Sequence, residues 1–156
     1  VPGTADVREE AVPVLEKMTQ TLLAPRYLFY TIEIEGHTDD IPISNTRYPS
    51  NWELSASRAA GIIRLLIDQE IDATRMKATG YADTQPRAPN RAPDGAEIPE
   101  NMAANRRVTL RVYPMSLEKK AAYEAILDER EQKELELEAV SEEDKPKEAL
   151  PKLKMQ

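Results

Sequence analysis

The stretch YLFYTIEIEGHTDDIPISNTRYPSNWELSASRAAGIIRLL, residues 27–66, joins two different periodicities of apolar side chains. Residues 27–36 alternate between apolar and polar side chains, which predicts a strand with one buried face. That face is formed by Leu28, Tyr30, Ile32 and Ile34. The end of the stretch instead repeats apolar residues at helical spacing, so a helix follows the strand.

A capping box marks where this helix begins. Ser50 and Glu53 stand three residues apart, which is the spacing at which the two side chains can satisfy free N–H groups at a helix start. The apolar stripe behind them is formed by Leu54, Ala59, Ile63 and Leu66. The stretch therefore predicts a strand and a helix that each bury one side.

The segments on either side complete an α+β pattern. A helix is predicted over about residues 9–23, on the condition that Pro13 lies in its first turn. Two more strands are predicted at residues 75–81 and 107–113, the second with Val108, Leu110 and Val112 facing inward. We expect a two-layer α+β sandwich, with helices packed on one face of a small mixed β-sheet. Because three strands are few for a sheet, another is expected just before Val1.

Two segments lie outside this pattern. Residues 82–101 are rich in proline and polar side chains and predict a long irregular loop, with a short helix near Met102. Residues 115–156 form a charged extension, predicted to be helical at first and disordered toward the C-terminus. That helix is either a solvated element or a partner-binding one. The predicted organisation is one domain over residues 1–114, followed by the extension over residues 115–156.

Composition argues against several classes of function. The net charge is −7, so no nucleic-acid partner is expected. The chain has no cysteine, which excludes a disulfide framework, a thiol nucleophile and thiolate metal sites. No apolar run is long enough to span a membrane, and the first residues do not follow the order of a signal peptide. Because the sequence starts at Val1 without a methionine, we expect it to be N-terminally truncated, with any anchoring element upstream.

The end of the predicted strand and the start of the predicted helix bring polar residues together around the mouth of one predicted pocket. Asn51, Ser55 and Arg58 share one side of the helix, and Arg58 leans back toward the helix N-terminus. Thr38 and Asp39 leave the strand toward the same point. Such a mouth suits a zwitterion, because Asp pairs with an ammonium group and Arg grips a carboxylate. The alternative is that Asp39 and Arg58 pair with each other as a structural salt bridge.

A catalytic or metal-binding role is not expected here. Asp39 and Asp40 are adjacent on an extended segment, so their side chains point to opposite faces and cannot flank one bond. His37 is the single histidine and is expected to pack or hydrogen-bond at the strand end, since HTDD lacks the spacing of a common metal site. Ser55 and Ser57 lack a nucleophile elbow. No enzyme activity, metal or cofactor is therefore predicted.

The motifs resemble those of a known family. GHTDD-x-PI, then SNWELSASRA and, much later, NRRV are similar to the OmpA-like peptidoglycan-binding domain, in the version found in the flagellar stator proteins MotB and PomB. The family pattern T-D, then N-x-x-L-S-x-x-R-A, is matched by Thr38, Asp39, Asn51, Leu54, Ser55, Arg58 and Ala59. The longer connection DIPISNTRYPS and Trp52 favour the stator version. The resemblance covers about residues 2–114.

The resemblance implies non-covalent binding of peptidoglycan through the diaminopimelate residue of its stem peptide. By position, Asp39 would hold the ammonium group and Arg58 the carboxylate. Asn51 and the amides near Thr38 would complete the pocket, with Leu54 of the same motif beside them. In the last motif, Asn105 and Arg106 either support the site or tie helix to strand.

The resemblance also implies a cellular context. It implies a periplasmic domain, anchored in the inner membrane by an upstream helix, with a MotA-like membrane subunit as partner and a homodimeric assembly. The domain would fix an ion-driven flagellar motor stator to the cell wall. The alternative is a cell-wall tether of another OmpA- or Pal-like envelope or secretion system.

Overall fold

The computed structural model describes residues 11–143. The predictions for residues 1–10 and 144–156, which include the start of the first helix and the disordered end, lie outside the described residues. So does the strand expected before Val1. The chain divides into two compact units, with the boundary between Met115 and Ser116. No described helix has both the length and the apolar character needed to cross a membrane.

The first unit mixes helices and strands, and the second contains one long helix. The elements in chain order are α1 Val12–Leu22, β1 Tyr30–Gly36, α2 Asn51–Asp68, β2 Met76–Gly80, α3 Pro99–Asn105, β3 Val108–Pro114 and α4 Leu117–Glu143. Short 3₁₀ helices at Pro25–Tyr27 and Ala73–Arg75 lead into β1 and β2. The short helix near Met102 and all three strands are confirmed.

Local sequence explains where the helices begin. Pro13 lies in the first turn of α1, where a missing N–H removes no helical hydrogen bond. Ser50 caps α2, because its Oγ accepts from the Trp52 N–H at 3.1 Å and donates to the Glu53 carboxylate. The predicted helix start at the Ser50–Glu53 pair is therefore confirmed, and the Glu53 carboxylate accepts a hydrogen bond from the serine hydroxyl.

The sheet is mixed, as predicted, and β1 lies at its centre in the order β2-β1-β3. The β1 and β2 strands run parallel, with Glu33 opposite Lys77. The β1 and β3 strands run antiparallel, with Glu33 opposite Arg111. The crossover between the parallel strands β1 and β2 contains α2, and the carboxyl ends of β1 and β2 meet at one edge of the sheet.

The core lies between the sheet and the helices on one of its faces. Ile32 and Ile34 of β1 are fully buried against it. Burying one such side chain contributes about 1.5–3 kcal/mol to folding. The buried cluster contains Leu15, Leu22, Ile32, Ile34, Ala59, Ile62, Leu66 and Ile71, drawn from α1, β1, α2 and the loop after α2. The two-layer arrangement is confirmed.

The prediction that β1 buries only one face is wrong. Glu33 and Glu35, on the face away from the helices, are 7 % and 6 % exposed. A central strand has neighbours on both sides, and the long side chains of Lys77 and Arg111 reach across it to these carboxylates. The opposite face is therefore covered by ion pairs instead of by a second apolar layer.

Two smaller expectations also fail. Tyr27–Phe29 lie outside β1, because Pro25 opens a 3₁₀ turn just before the strand. Val112 is 37 % exposed although it was expected to face inward, whereas Val108 and Leu110 pack against the core. Val112 stands on β3, which is an edge strand with a neighbour on one side only.

Two glycines let α2 approach the sheet. A Cβ atom on Gly36 would lie 1.9 Å from the Ser55 carbonyl oxygen, and one on Gly80 would lie 2.7 Å from the Ala56 nitrogen. Both glycines stand at the carboxyl ends of their strands. The first half of α2 therefore presses directly on this edge of the sheet, which brings its polar side chains next to the residues that follow β1.

Candidate functional site

A cleft of about 370 Å³ opens beyond the end of β1. Three parts of the chain form it: the segment after β1, the first two turns of α2, and the residue that follows α3. The lining residues are Thr38, Asp39, Ile41, Pro42, Ile43, Asn51, Leu54, Arg58 and Arg106. This volume is at the lower end of the range of small-ligand sites and accommodates an amino-acid head group.

The apolar side of the cleft is formed by the connection after β1. Asn51 holds this wall in place, because its Nδ2 donates to the Ile41 carbonyl at 3.0 Å. Leu54, one turn further along α2, is buried and contributes an apolar surface. Asn51 therefore positions the wall, and its amide oxygen is the part of the side chain that remains for a ligand.

Asp39 supplies the carboxylate of the cleft and is 7 % exposed. Its Oδ1 accepts from the Ile41 N–H at 3.2 Å, and its Oδ2 accepts from Arg106 Nη1 at 2.6 Å. Arg106 is thus the ion-pair partner that the structure gives to Asp39, a pairing between residues far apart in the sequence. Each oxygen keeps capacity for a further hydrogen bond.

Arg58 supplies a second guanidinium and is 9 % exposed. Its Nη1 donates to the His37 carbonyl at 3.4 Å, which tethers the side chain to the segment after β1. The cleft thus carries two arginines and one aspartate among its lining residues. Buried guanidinium groups bind carboxylates through parallel donors, so the cleft favours a ligand with both an anionic and a cationic group.

The structure brings together all five residues that the sequence proposed as ligand contacts. Thr38, Asp39, Asn51, Leu54 and Arg58 line the same cavity. One detail differs, because the Thr38 N–H donates to the Ala82 carbonyl at 2.8 Å and so cannot serve a ligand. The expectation that amides near Thr38 complete the pocket therefore stays a prediction for the neighbouring backbone N–H groups, and the Thr38 N–H itself is occupied.

The two supporting residues of the NRRV motif have different roles. Arg106 lines the cleft, whereas Asn105 is fully buried and organises the loop before α3. Asn105 Oδ1 accepts from the N–H groups of Arg87 and Ala88 at 2.7 and 3.2 Å. Its Nδ2 donates to the Ala88 carbonyl and to Asn90 Oδ1, both at 2.8 Å. Asn105 thus ties the end of α3 to the loop. Because Arg106 is the next residue, these bonds also fix the position of its backbone.

Sequence reasoning missed the apolar wall at Ile41, Pro42 and Ile43. These residues show no periodicity that separates them from other loop residues, and their place in the GHTDD-x-PI motif was the signal that could have indicated them. The ion pair between Asp40 and Arg91, at 2.7 Å, was also missed. It joins the segment after β1 to the long proline-rich loop and helps to hold both in place.

His37 packs at the end of β1, one of the roles expected for it. It is 1 % exposed and its ring stacks on Tyr81, with centroids 5.4 Å apart. Burial lowers the pKa of His37, and the charges of Arg107 and Arg87 lower it further, against an opposing effect of Glu35. Among residues 11–143, no group of three or more His, Cys, Asp or Glu side chains could hold a metal.

Comparison with known proteins places this geometry in a family. The family model described as the OmpA family matches residues 1–99. Motility protein B of Bacillus subtilis (strain 168) is 36 % identical over 115 residues, which cover 72 % of this chain and 40 % of that protein. The chain therefore spans well under half of the length of this curated relative.

Solved structures agree with the sequence match. The periplasmic domain of Helicobacter pylori MotB matches with a TM-score of 0.61 at 25 % identity, covering 81 % of this chain and 76 % of that one. The cell wall anchor of the T6SS from Pseudomonas aeruginosa matches with a TM-score of 0.59 at 35 % identity, covering 74 % of each chain. The resemblance drawn from the motifs is confirmed, and the chain belongs to the OmpA family.

Proposed function

We propose that this chain binds peptidoglycan non-covalently and anchors a flagellar motor stator to the cell wall. The cleft would hold the free ammonium and carboxylate of the diaminopimelate residue in the stem peptide. The single observation that carries the proposal is that Asp39, Arg58 and Arg106 line one cavity. The likeness to Motility protein B supports the stator context.

In the proposed complex, Asp39 accepts from the ammonium group and Arg58 donates to the carboxylate. Arg106 holds the Asp39 carboxylate in position through its 2.6 Å ion pair. Hydrogen bonds to charged groups contribute about 1.5–3 kcal/mol each. Two or three such bonds sum to about 3–9 kcal/mol, which corresponds to a dissociation constant between about 0.2 μM and 6 mM. This is binding without bond cleavage, and we propose no catalytic step.

Weak single sites suffice for an anchor when several act together. We propose a periplasmic location, a homodimer, and a MotA-like membrane subunit as the partner of the part that lies upstream in the whole protein. Two linked sites bind a polymer far more firmly than either site alone, because the second binding event becomes intramolecular. The load on a stator would thus be shared over several clefts.

A second candidate is a cell-wall tether of another envelope or secretion system. The likeness to the cell wall anchor of the T6SS favours it, because its TM-score and coverage are close to those of the MotB domain. The cleft chemistry is the same in both cases. The sequence upstream of Val1 discriminates them: a membrane helix with a buried aspartate indicates a stator, and a lipidated cysteine or a barrel indicates a tether.

The test is co-sedimentation of the purified chain with peptidoglycan sacculi. Asp39→Asn and Arg58→Gln each remove one charge and keep most of the side-chain volume. We expect each to weaken binding by roughly 10- to 100-fold, since each removes one charged hydrogen bond. Free diaminopimelate should release the unaltered chain from sacculi. Lysine blocked at its α-amino and carboxyl groups, which keeps an ammonium group but has no carboxylate, should not.

The matched control is Lys77→Gln, which removes a charge from the ion pair with Glu33 on the sheet, outside the cleft. This variant should sediment like the unaltered chain. Circular dichroism and thermal unfolding must show that all variants are folded, because Asp39 and Arg58 are both buried. Folded Asp39 and Arg58 variants that still sediment would remove the cleft from the account of wall binding.

A further inference from the structure

Three residues, Tyr81, His37 and Arg107, lie in a row just beyond the strands, at the edge of the sheet that also forms the cleft. The β1–β2 register pairs Gly36 with Gly80, so His37 and Tyr81 follow as the next neighbours. The β1–β3 register pairs Gly36 with Val108, and the His37 N–H donates to the Arg107 carbonyl at 2.9 Å. Tyr81, His37 and Arg107 therefore lie side by side across the sheet, which agrees with the ring stacking of Tyr81 on His37.

Arg107 is held at this row by carbonyl groups. Its Nη2 donates to the Gln85 carbonyl at 3.2 Å and its Nη1 to the Asn105 carbonyl at 3.5 Å. These bonds orient the guanidinium but supply no opposite charge. Among the described residues, no carboxylate lies within salt-bridge distance of Arg107 or Arg87.

A second cation lies close to the first. Asn105 accepts the Arg87 N–H and so fixes the backbone of the loop beside Arg107. Burial lowers the pKa of Arg107 and the charge of Arg87 lowers it further, against an opposing effect of Glu35. Glu35, the carboxylate on this face that opposes the shift of the Arg107 pKa, is already engaged by Arg111 at 3.2 Å. Arg87 and Arg107 thus lie near the carboxylate of Glu35, which already forms an ion pair with Arg111.

The centre of the row adds an unusual polar group. Both ring nitrogens of His37 are buried and have no hydrogen-bond partner among the described residues. A Glu35 oxygen lies 3.9 Å from its Nε2, which is beyond hydrogen-bond distance. Buried polar atoms are normally paired, so an unpaired imidazole beside two cations indicates a group that is completed from outside the chain.

We propose that Arg87 and Arg107, with His37 behind them, form a binding site for an oxyanion, a carboxylate or a phosphate, separate from the zwitterion cleft. Arg106 faces the cleft through Asp39, while its neighbour Arg107 bonds to Gln85 on the other side of the chain. One motif thus serves two sites. Guanidinium groups bind such anions through paired donors, and two of them on a chain of net charge −7 create a local positive field.

His37 provides a direct probe, because it is the single histidine and its imidazole signal in a proton NMR spectrum needs no assignment. The experiment follows the pH titration of this signal with added inorganic phosphate, and in a parallel series with acetate. A bound anion offsets the arginine charges, so we expect the pKa of His37 to rise by roughly one unit, with saturation. A series in sodium chloride at matched ionic strength measures screening alone.

Two variants test the assignment to the arginine pair. Arg87→Gln and Arg107→Gln should each start with a higher His37 pKa and lose the saturable response to phosphate and acetate. Arg87 is exposed, so its variant should fold even if loss of Arg107 disturbs the loop. Lys77→Gln is the matched control, because Lys77 lies on the same face but is paired with Glu33 at 3.1 Å. It should respond like the unaltered chain.

The two series distinguish the sources of the anion. A response to phosphate alone indicates a site selective for phosphate groups, and a response to both indicates that carboxylates also bind. If neither anion changes the His37 titration more than sodium chloride does, the site does not exist. An unchanged response in both arginine variants would equally overturn the assignment. Because the readout does not involve sacculi, failure here leaves the proposed wall-binding function untouched, and the converse also holds.

Discussion

Gly36 illustrates how a single residue positions the cleft. A Cβ atom built at the ideal position on Gly36 would lie 1.9 Å from the Ser55 carbonyl oxygen, so no side chain fits there. The contact is with helical backbone, which cannot rotate away as a side chain could. The Asn51, Leu54 and Arg58 side chains reach the end of β1 only because α2 comes this close.

We expect Gly36→Ala to destabilise the fold by about 3 kcal/mol or more, because α2 would have to move off the sheet. Chemical denaturation measures the change. Gly95→Ala is the control: Gly95 has φ of 88° but nothing lies near its Cβ position. That variant should lose only about 1 kcal/mol, from left-handed backbone strain. Similar losses in both variants would contradict the close-approach explanation.

The ionisation of Glu33 makes the stability of the fold depend on pH. Burial by itself raises the pKa of Glu33, but hydrogen bonds from Lys77, Thr79 and Tyr113 outweigh it, so the pKa lies below its ordinary value of 4.5. A carboxylate whose pKa is lower in the folded than in the unfolded state stabilises the fold above the unfolded value. That contribution is lost as the pH falls through the folded value.

We therefore expect the free energy of unfolding to decline as the pH drops below about 4.5. Glu33→Gln should make this decline shallower, because the variant has no carboxylate to protonate. The measurement is urea denaturation at several pH values between neutral and acidic. Glu16→Gln, at an exposed position on α1, is the control and should keep the original slope. An unchanged slope in Glu33→Gln would refute the assignment.

At the scale of elements, α3 and the loop before it depend on one buried amide. Asn105 makes four hydrogen bonds to residues 87, 88 and 90, and the loop also closes through a bridge between Arg91 and Glu97. A long loop without regular structure needs such internal bonds to stay ordered. Because Arg106 directly follows Asn105 and lines the cleft, an ordered loop also helps to position this cleft residue.

Asn105→Ala should release the loop without unfolding the sheet. We expect faster amide exchange at Ala88, whose backbone carbonyl and N–H both bond to this side chain. Binding to sacculi should weaken as well, since Arg106 loses its support. Asn101→Ala is the matched control, because Asn101 makes one exposed bond, to the Pro89 carbonyl at 2.9 Å. Equal exchange in the two variants would mean that the loop is ordered by something else.

At the scale of the whole molecule, α4 differs from every other element. It is 27 residues long, and each described side chain from Asp128 to Glu138 is exposed. Leu135 and Leu137 are exposed apolar residues among charges, so this half of the helix buries no stripe. The sequence left open whether the helix is solvated or binds a partner, and both remain proposals.

We expect a chain that ends after Leu127 to unfold at nearly the same temperature as the full chain. The loss should stay under about 1 kcal/mol, which corresponds to a shift of less than roughly 4 °C. The helical circular dichroism signal should fall, because half of α4 is removed. A much larger drop in the melting temperature would show that the far end of α4 contributes to the fold. Retained binding to sacculi would exclude this segment from the wall-binding site.

The sequence by itself determined the order and type of the elements. Alternation over residues 27–36 and helical spacing behind Ser50 report which side of each element is apolar, and that information is local. The residues of the cleft could also be named, because family motifs record them by position. The start of β1 differed by a few residues, because Pro25 opens a 3₁₀ turn just before the strand.

The tertiary structure alone decided which charges meet. Asp39 pairs with Arg106, and Glu35 with Arg111, across separations that no local pattern encodes. The burial of Glu33 and Glu35 depends on two neighbouring strands, since their side chains cover the centre of the sheet. Periodicity reports the polarity of a face, but only the packing of several elements sets how deeply that face is buried and which opposite charge lies within reach.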